Sequence, residues 1–412
     1  MRSEWRELTV GEVANITSSK RIYAREYVKQ GIPFYRSKEI IEKAHNQEVS
    51  TPLYISRQRF DELDTLHGSP KKGDILLTSV GTLGVPYLVK DETFYFKDGN
   101  LTWFRVREGL EGRFLYYWFL SPDAVNQINA RHIGSTQKAL PIDTLKKFEI
   151  LVPPLSSQKA IADTLSCLDA KIELNNKINE NLEAQAQAIF KSWFVDFEPF
   201  QNGEFVESEL GLIPKGWRIG TISDLGEVIG GSTPSKKVND YYPEQSIPWI
   251  TPKDLSLNKT KFVARGQIDI TEEGLRKSSA KVMPKGTVLF SSRAPIGYIA
   301  IAKNEVTTNQ GFKSVVPKAS VGTEYTYFFL KNNIDTIEAR ASGSTFKEVS
   351  GTIMKQVPAL VPSEEVLERF GKAAHPNFRL QETLEEQNQT LRALRDTLLP
   401  KLMSGEIEVP VD

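Results

Sequence analysis

The chain has 412 residues, 40% hydrophobic and 25% charged, enough for roughly two to three domains with ordinary cores. Its single cysteine, Cys167, excludes an internal disulfide and fits a reducing cytoplasm. No apolar run approaches the roughly 18–20 residues of a membrane helix, and Met1-Arg2-Ser3-Glu4 lacks the apolar core of a secretory leader, so a cytoplasmic location is expected.

Fifty-two Lys/Arg balance 52 Asp/Glu, but unevenly along the chain. Residues 1–155 carry 22 basic against 19 acidic side chains, and residues 217–362 carry 19 against 13. Residues 156–200 carry 4 against 7, and residues 363–412 carry 6 against 10. Basic globular segments suit phosphate contact, and acidic helical ones suit contact with other protein.

Residues 1–155 predict a mixed α/β globule. Short β-rich runs (Ile75–Thr78, Tyr87–Val89, Leu101–Val106) sit between Gly, Pro and Asn punctuation. An aromatic-rich helix is predicted over Gly112–Leu120, and another after Ser121-Pro122-Asp123. From 156 to about 195 no Gly or Pro interrupts, and Ser156 or Ser157 can cap the start. Ile161, Leu165, Leu168, Ile172, Asn175, Asn179, Leu182, Ala186, Ile189 and Trp193 step alternately by four and three, which is a heptad seam. Asn175 and Asn179 sit mid-seam, where polar residues cost stability but fix register and partner number.

The linker 198–216 is rich in Gly and Pro. Residues 217–362 then repeat the first globule, with strands near Val288–Ser291 and Ile299–Ala302 and a helix near Glu324–Asn332. A second long helix is predicted over 363–403, broken near Pro376, with Leu380, Leu384, Gln387, Leu391, Leu394 and Leu398 as its seam. The tail 404–412 echoes Asn202–Glu207. The fold class is therefore α+β: two pseudo-repeated mixed α/β domains separated by an antiparallel coiled coil of two long helices.

The repeat is explicit. Gly134-Ser135-Thr136-Gln137-Lys138 returns 209 residues later as Gly343-Ser344-Thr345-Phe346-Lys347. Ile32-Pro33-Phe34 returns as Ile247-Pro248-Trp249, and Lys72-Gly73-Asp74-Ile75 as Lys285-Gly286-Thr287-Val288. A chain of two half-copies suits a target that itself has two parts.

No catalytic constellation accompanies the repeat. The histidines (His45, His67, His132, His375) lack metal-ligand spacing. Ser79–Gly84 has neither the lysine of a phosphate-binding loop nor the full dinucleotide fingerprint. Pro153-Pro154-Leu155 lacks the polar and aromatic flanks of an adenine methyltransferase signature, and the nuclease-like spacing of Asp169 and Lys171 lies beside the heptad seam. No metal and no cofactor are expected.

Instead, polar loops recur at matched places, with small hydroxyl residues beside Lys or Arg, as contacts to phosphates and base edges require. Lys20, Arg21, Arg36, Lys38, Lys138, Lys236, Lys237, Lys253, Arg293 and Lys347 are the candidate DNA contacts. Ser135, Thr136, Asn309, Gln310, Ser344 and Thr345 are the candidates for polar readout.

The chain resembles the DNA specificity subunits of type I restriction-modification systems over essentially its whole length. The resemblance rests on Val152-Pro153-Pro154-Leu155-Ser156-Ser157-Gln158-Lys159-Ala160-Ile161, Ala188-Ile189-Phe190-Lys191-Ser192-Trp193-Phe194, Leu210-Gly211-Leu212-Ile213-Pro214-Lys215-Gly216-Trp217 and Leu394-Arg395-Asp396-Thr397-Leu398-Leu399-Pro400-Lys401-Leu402-Met403-Ser404-Gly405. It implies two target recognition domains, each reading half of a bipartite, asymmetric site on double-stranded DNA. It also implies a non-catalytic chain on which two methyltransferase subunits dock and motor-nuclease (restriction) subunits assemble. An enzyme acting alone on nucleic acid would methylate or cleave as a purified chain. A two-headed adaptor would show no salt-dependent DNA binding.

Overall fold

The computed structural model describes residues 4–133, 138–343 and 347–410. They form two compact units, Met1–Leu174 with Gln389–Asp412, and Asn175–Asn388. Two forty-residue helices, Leu155–Phe194 and Glu364–Met403, each contribute one part to each unit.

In the first unit, strands Ala14–Thr17, Leu101–Val106, Ile75–Thr78 and Pro86–Leu88 form a four-stranded antiparallel sheet in that order. A second sheet runs Tyr27–Val28, Tyr54–Ile55, Ile32–Tyr35, Tyr95–Phe96, the last pair parallel. Arg6–Thr9 pairs with Glu149–Val152, bringing the chain back to the start of the long helix. The aromatic helix Gly112–Leu120 buries Phe114, Tyr117, Trp118 and Phe119, and Ser121 caps the next helix, Pro122–Arg131, its Oγ accepting from the Ala124 amide.

The second unit repeats this order. Gly226–Gly230, Lys313–Pro317, Val288–Ser292 and Ile296–Ala302 form the larger sheet, extended by Phe262–Val263. Ile268–Ile270, Ile247–Ile250 and Thr307–Thr308 form the smaller one, and Arg218–Thr221 pairs with Pro358–Val361. Its aromatic helix is Thr323–Asn332. The hairpin Phe205–Ser208 with Gly211–Pro214 follows the first long helix.

The long helices pair within each unit. In the first, Ile161 and Leu165 share a core with Leu399, Leu402 and Met403. In the second, Asn175 faces Asn388, Asn179 faces Gln381, and the Leu182 carbonyl faces Asn377. Numbers rising on one helix against numbers falling on the other make the pairing antiparallel. Asn175, fully buried, donates to Asn388 Oδ1 at 2.9 Å, and Asn388 donates to Asn176 at 2.8 Å.

Three expectations are corrected. The first long helix begins at Leu155, so Ser156 and Ser157 lie inside its first turn rather than capping it. Buried Gln158 ties the start of the helix to the domain instead, accepting from the Glu111 amide and donating to the Gly109 and Pro153 carbonyls. The second long helix runs unbroken through Pro376. Pro376 and Lys372, whose carbonyl loses its helical donor, lie on the exposed face, where water can take the donor's place. Buried Phe370, Ala374 and Phe378 hold the other face in the core.

The seam of that helix also shifts. Leu380 and Leu394 are exposed, at 44% and 45%, and Gln387 is exposed too. The buried row is instead Leu367, Ala374, Gln381, Asn388 and Leu402, with half-buried Arg395 between the last two, all at heptad spacing. It is apolar at both ends and polar in the middle, so a frame chosen on leucines falls one residue short. Leu384 is buried, and Leu391 and Leu398 are half-buried.

A carboxylate on the first long helix anchors each domain to its helices. In the first unit Asp169 accepts from Tyr117 Oη at 2.7 Å and Arg395 Nη1 at 2.8 Å. Asp169 is thus a packing residue of the helix pair, not part of a nuclease set. In the second unit Glu183 takes Lys261 at 2.7 Å, Lys331 and Tyr327. Buried Lys261 also donates to Gln381 at 2.9 Å and lies 3.2 Å from the centroid of the Phe378 ring. Burial pushes the Glu183 carboxyl up, but the charges and hydrogen bonds of Lys261 and Lys331 outweigh it and hold it at about 2. Burial pulls Lys261 down to about 8 against the pull of Glu183.

A carboxylate depressed from 4.5 to about 2 contributes stability above the unfolded value that is lost as pH falls through the folded one. Glu183→Gln is expected to lower stability at neutral pH by about 3 kcal/mol. The gap to wild type should close steadily from about pH 5 towards pH 2 in urea titrations. A gap that stays constant over that range would refute the assignment.

Candidate nucleic-acid interface

In each unit the loops that carry the candidate residues converge on a short segment linking the two sheets. In the first, that segment is Lys97–Asn100, between strands Tyr95–Phe96 and Leu101–Val106. Ser18 Oγ donates to the Leu101 carbonyl and accepts from the Gly99 amide, and Ser19 Oγ donates to the Phe96 carbonyl. Arg21 Nε donates to Asp98 at 3.0 Å, and Ser37 Oγ and the Ser79 amide both reach the Asn100 carbonyl. The Gly81 amide donates to the Lys138 carbonyl. Lys20, Arg21, Lys38 and Lys138 are exposed around this hub.

In the second unit the hub is Asn309–Phe312, between strands Thr307–Thr308 and Lys313–Pro317. The Ser232 amide donates to the Thr308 carbonyl at 2.9 Å, and Trp249 Nε1 donates to the Ser232 carbonyl at 3.0 Å. A Cβ at Gly231 would lie 2.0 Å from the Asn309 carbonyl oxygen, so only glycine allows this crossing. Thr233 donates its hydroxyl to Gln310 Oε1, and the Asn309 amide donates to the Ile250 carbonyl. Asn309 Oδ1 accepts from the Gly311 amide at 2.9 Å. The Ser292 amide donates to the Gly311 carbonyl, and the Val349 amide to the Ser292 carbonyl. Lys236, Lys237, Gln310 and Lys347 are exposed on these loops, and Lys253 is exposed in the first turn of helix Pro252–Leu257.

The candidates do not all have the same freedom. Arg36 is a helix cap: its backbone amide and its Nε both donate to Glu39 Oε2, and it pairs with the fully buried Glu39 carboxylate. Burial raises that carboxyl, but the bonds from Arg36 and Thr51 more than offset it and hold it below its ordinary value. Arg36 therefore serves the fold first. Asn309, with its side-chain oxygen on Gly311, shapes its own turn. Ser135, Thr136, Ser344 and Thr345 lie outside the described residues. Two further charged residues meet at the second hub, Lys313 Nζ lying 3.4 Å from Glu348 Oε1, and sequence reasoning did not single them out. Lys313 is hidden in an apolar strand pattern, and Glu348 has the charge opposite to that sought. Among the described residues, no group of three or more His, Cys, Asp or Glu is placed to hold a metal ion, and no helix is long and apolar enough to cross a membrane.

Two repeated loop hubs, each set on a pair of sheets beside long helices, define the class as a protein of two tandem copies of one loop-displaying domain. The chain belongs to the type I restriction modification DNA specificity family, whose domain matches it twice, over residues 2–184 and 214–389. It is 25% identical over 474 residues to the type I restriction enzyme HindI specificity subunit of Haemophilus influenzae, covering 98% of this chain and 100% of that one. It is 42% identical over 193 residues to the type I restriction enzyme MjaIX specificity subunit of Methanocaldococcus jannaschii, covering 46% of this chain and 44% of that one. Its fold is that of the crystal structure of a type I restriction-modification system S subunit from M. genitalium, with a TM-score of 0.61 at 17% identity, covering 97% and 96% of the two chains. The chain is thus a specificity subunit, the non-catalytic member of such a system.

The two kinds of basic residue separate by experiment. Arg36→Ala leaves buried Glu39 uncompensated and is expected to cost about 2 kcal/mol of stability. Lys236→Ala with Lys237→Ala should leave stability within about 0.5 kcal/mol and flatten the salt dependence of DNA binding by roughly one to two contacts. Thermal melts and a binding titration against salt check both, and a double-lysine variant with the wild-type salt slope would remove those residues from the interface.

Proposed function

We propose that the domains of residues 1–155 and 217–362 each read one half of a bipartite, asymmetric site on double-stranded DNA. The helices of residues 156–197 and 363–403 set the unread spacer and dock the methyltransferase subunits, two per chain. The linker 198–216 and the tail 404–412 close the two halves. Restriction subunits complete the complex, which works in the cytoplasm. One observation carries this reading: the same set of loops converges twice on equivalent backbone, with different side chains displayed each time. Such a scaffold suits two half-sites of different sequence.

The exposed lysines supply the sequence-independent attraction to phosphates, and the polar loop side chains supply the base-edge contacts. The base to be methylated is extruded into a partner subunit, so the recognition domains read the pairs around it. Helices of forty residues extend about 60 Å, enough for half-sites about one turn of duplex apart, roughly 34–36 Å.

Methylome sequencing of cells carrying the partner subunits, with and without this chain, tests the reading. One bipartite motif should be methylated with the chain present and lost without it. A motif that survives removal of the chain eliminates the proposal. Inserting one heptad into each long helix is expected to lengthen the spacer by about three base pairs and leave both half-sites unchanged. An unchanged spacer would refute the helices as the ruler.

A further inference from the structure

The two hubs share one backbone frame at a position where their side chains differ in kind. In the first unit the Ser79 amide donates to the Asn100 carbonyl, and the Leu140 amide to the Ser79 carbonyl. In the second, Ser292 donates to Gly311, and Val349 to Ser292. This matches Val80 with Arg293, Ala139 with Glu348, and Thr102 with Lys313. The first unit carries no charge at these three places, and the second carries three.

Those three charges form a chain of support. Lys313 stands on a central sheet strand with its side chain only 13% exposed, and its Nζ lies 3.4 Å from Glu348 Oε1 and 3.4 Å from the Gln310 carbonyl. Glu348 Oε2 accepts from Arg293 Nη1 at 3.2 Å. Arg293 sits on the turn between Val288–Ser292 and Ile296–Ala302, next to Ala294 in the left-handed region at φ 53°. Its side chain is 36% exposed, and among the described residues Glu348 is the partner of its guanidinium. One nitrogen is held by Glu348, and among the described residues the Nε–Nη2 edge remains as a planar pair of donors.

We propose that Arg293 reads a guanine in the half-site bound by the second domain, with Glu348 and Lys313 as the positioning residues that aim it. Guanine alone presents two acceptors, O6 and N7, side by side in the major groove, and a planar guanidinium edge matches them bidentately. A carboxylate behind the arginine removes the rotamer freedom that a long side chain otherwise loses on binding. A phosphate contact needs no such aiming, and the exposed lysines nearby serve it without support. The Gln310–Thr233 pair lies on the same hub and offers the neighbouring base a polar edge. This inference rests on the second domain being a DNA reader, as proposed above.

The test is the methylation motif of the assembled complex carrying Arg293→Ala, Arg293→Lys, Glu348→Gln or Lys313→Met. Arg293→Ala and Arg293→Lys are expected to relax one guanine position of one half-site, with discrimination there falling roughly 10- to 100-fold. Glu348→Gln and Lys313→Met should relax the same position to a smaller degree, while the other half-site keeps its full preference. That locality is a readout that loss of folding would not produce. Uniformly weaker methylation with an unchanged motif would make Arg293 a phosphate contact and overturn the inference. If Arg293→Ala gives no methylation, Arg293→Lys decides: an unchanged motif at the wild-type rate overturns it. A wild-type motif that is preserved in all four variants sinks this assignment alone. A wild-type chain whose removal leaves the methylome unchanged sinks the proposed function itself.

Discussion

Each half of this chain depends on a carboxylate that a long helix offers to the domain beside it. Asp169 gathers Tyr117 and Arg395, and Glu183 gathers Lys261, Lys331 and Tyr327. In both cases the tyrosine comes from the aromatic helix of the domain, so the same contact is made twice with different cations. The second version is the more buried. It takes the Lys261 ammonium out of water, and Glu183, Gln381 and the Phe378 and Tyr327 rings make that tolerable. Apolar packing around Phe190, Phe328, Phe370 and Phe378 supplies the cohesion. The charged contact adds orientation, since an unpaired carboxylate or ammonium there would be costly in any other register.

The polar middle of the helix pair follows the same logic. A continuous apolar seam would tolerate sliding by whole heptads. Asn175 donating to Asn388, and Gln381 donating to the Asn179 carbonyl, favour the observed alignment over a slid one. Stability is given up for register, and register fixes where the loops of each unit stand relative to its own helices. On that fixed base the loop hubs can differ freely. The frame around Ser79 and Ser292 is held by main-chain hydrogen bonds, so Val80 can give way to Arg293 without disturbing it.

Much of this was legible in the residues. The strands Ile75–Thr78 and Leu101–Val106, the helix Gly112–Leu120 and the uninterrupted first long helix all appear where pattern and punctuation put them. The misreadings share a cause. Leucine content marked Leu380 and Leu394 as seam, but tertiary contacts choose the row one residue later, where Gln381, Asn388 and Arg395 find polar partners. Pro376 read as a break because local propensity says nothing of which face of a long helix meets water. Nor could the residues show that Arg36, a candidate DNA contact, is engaged by Glu39 and Thr51, because that partnership is made only in the fold. Lys313 and Glu348 were passed over because neither residue, alone in its segment, differs from ordinary strand and loop composition.

The sequence by itself determined the duplication, the α+β class, the alternation of basic domains with acidic helices and the family. All of these are written in periodicity, spacing and composition, which survive without coordinates. Only the tertiary structure decided which charges are spent on the fold and which remain for a ligand. A lysine in a strand, a glutamate shortly before the helix Gly351–Lys355 and an arginine on a turn are 20 to 55 residues apart in the chain. Their meeting at one hub depends on main-chain hydrogen bonds between distant segments, and no local pattern records those.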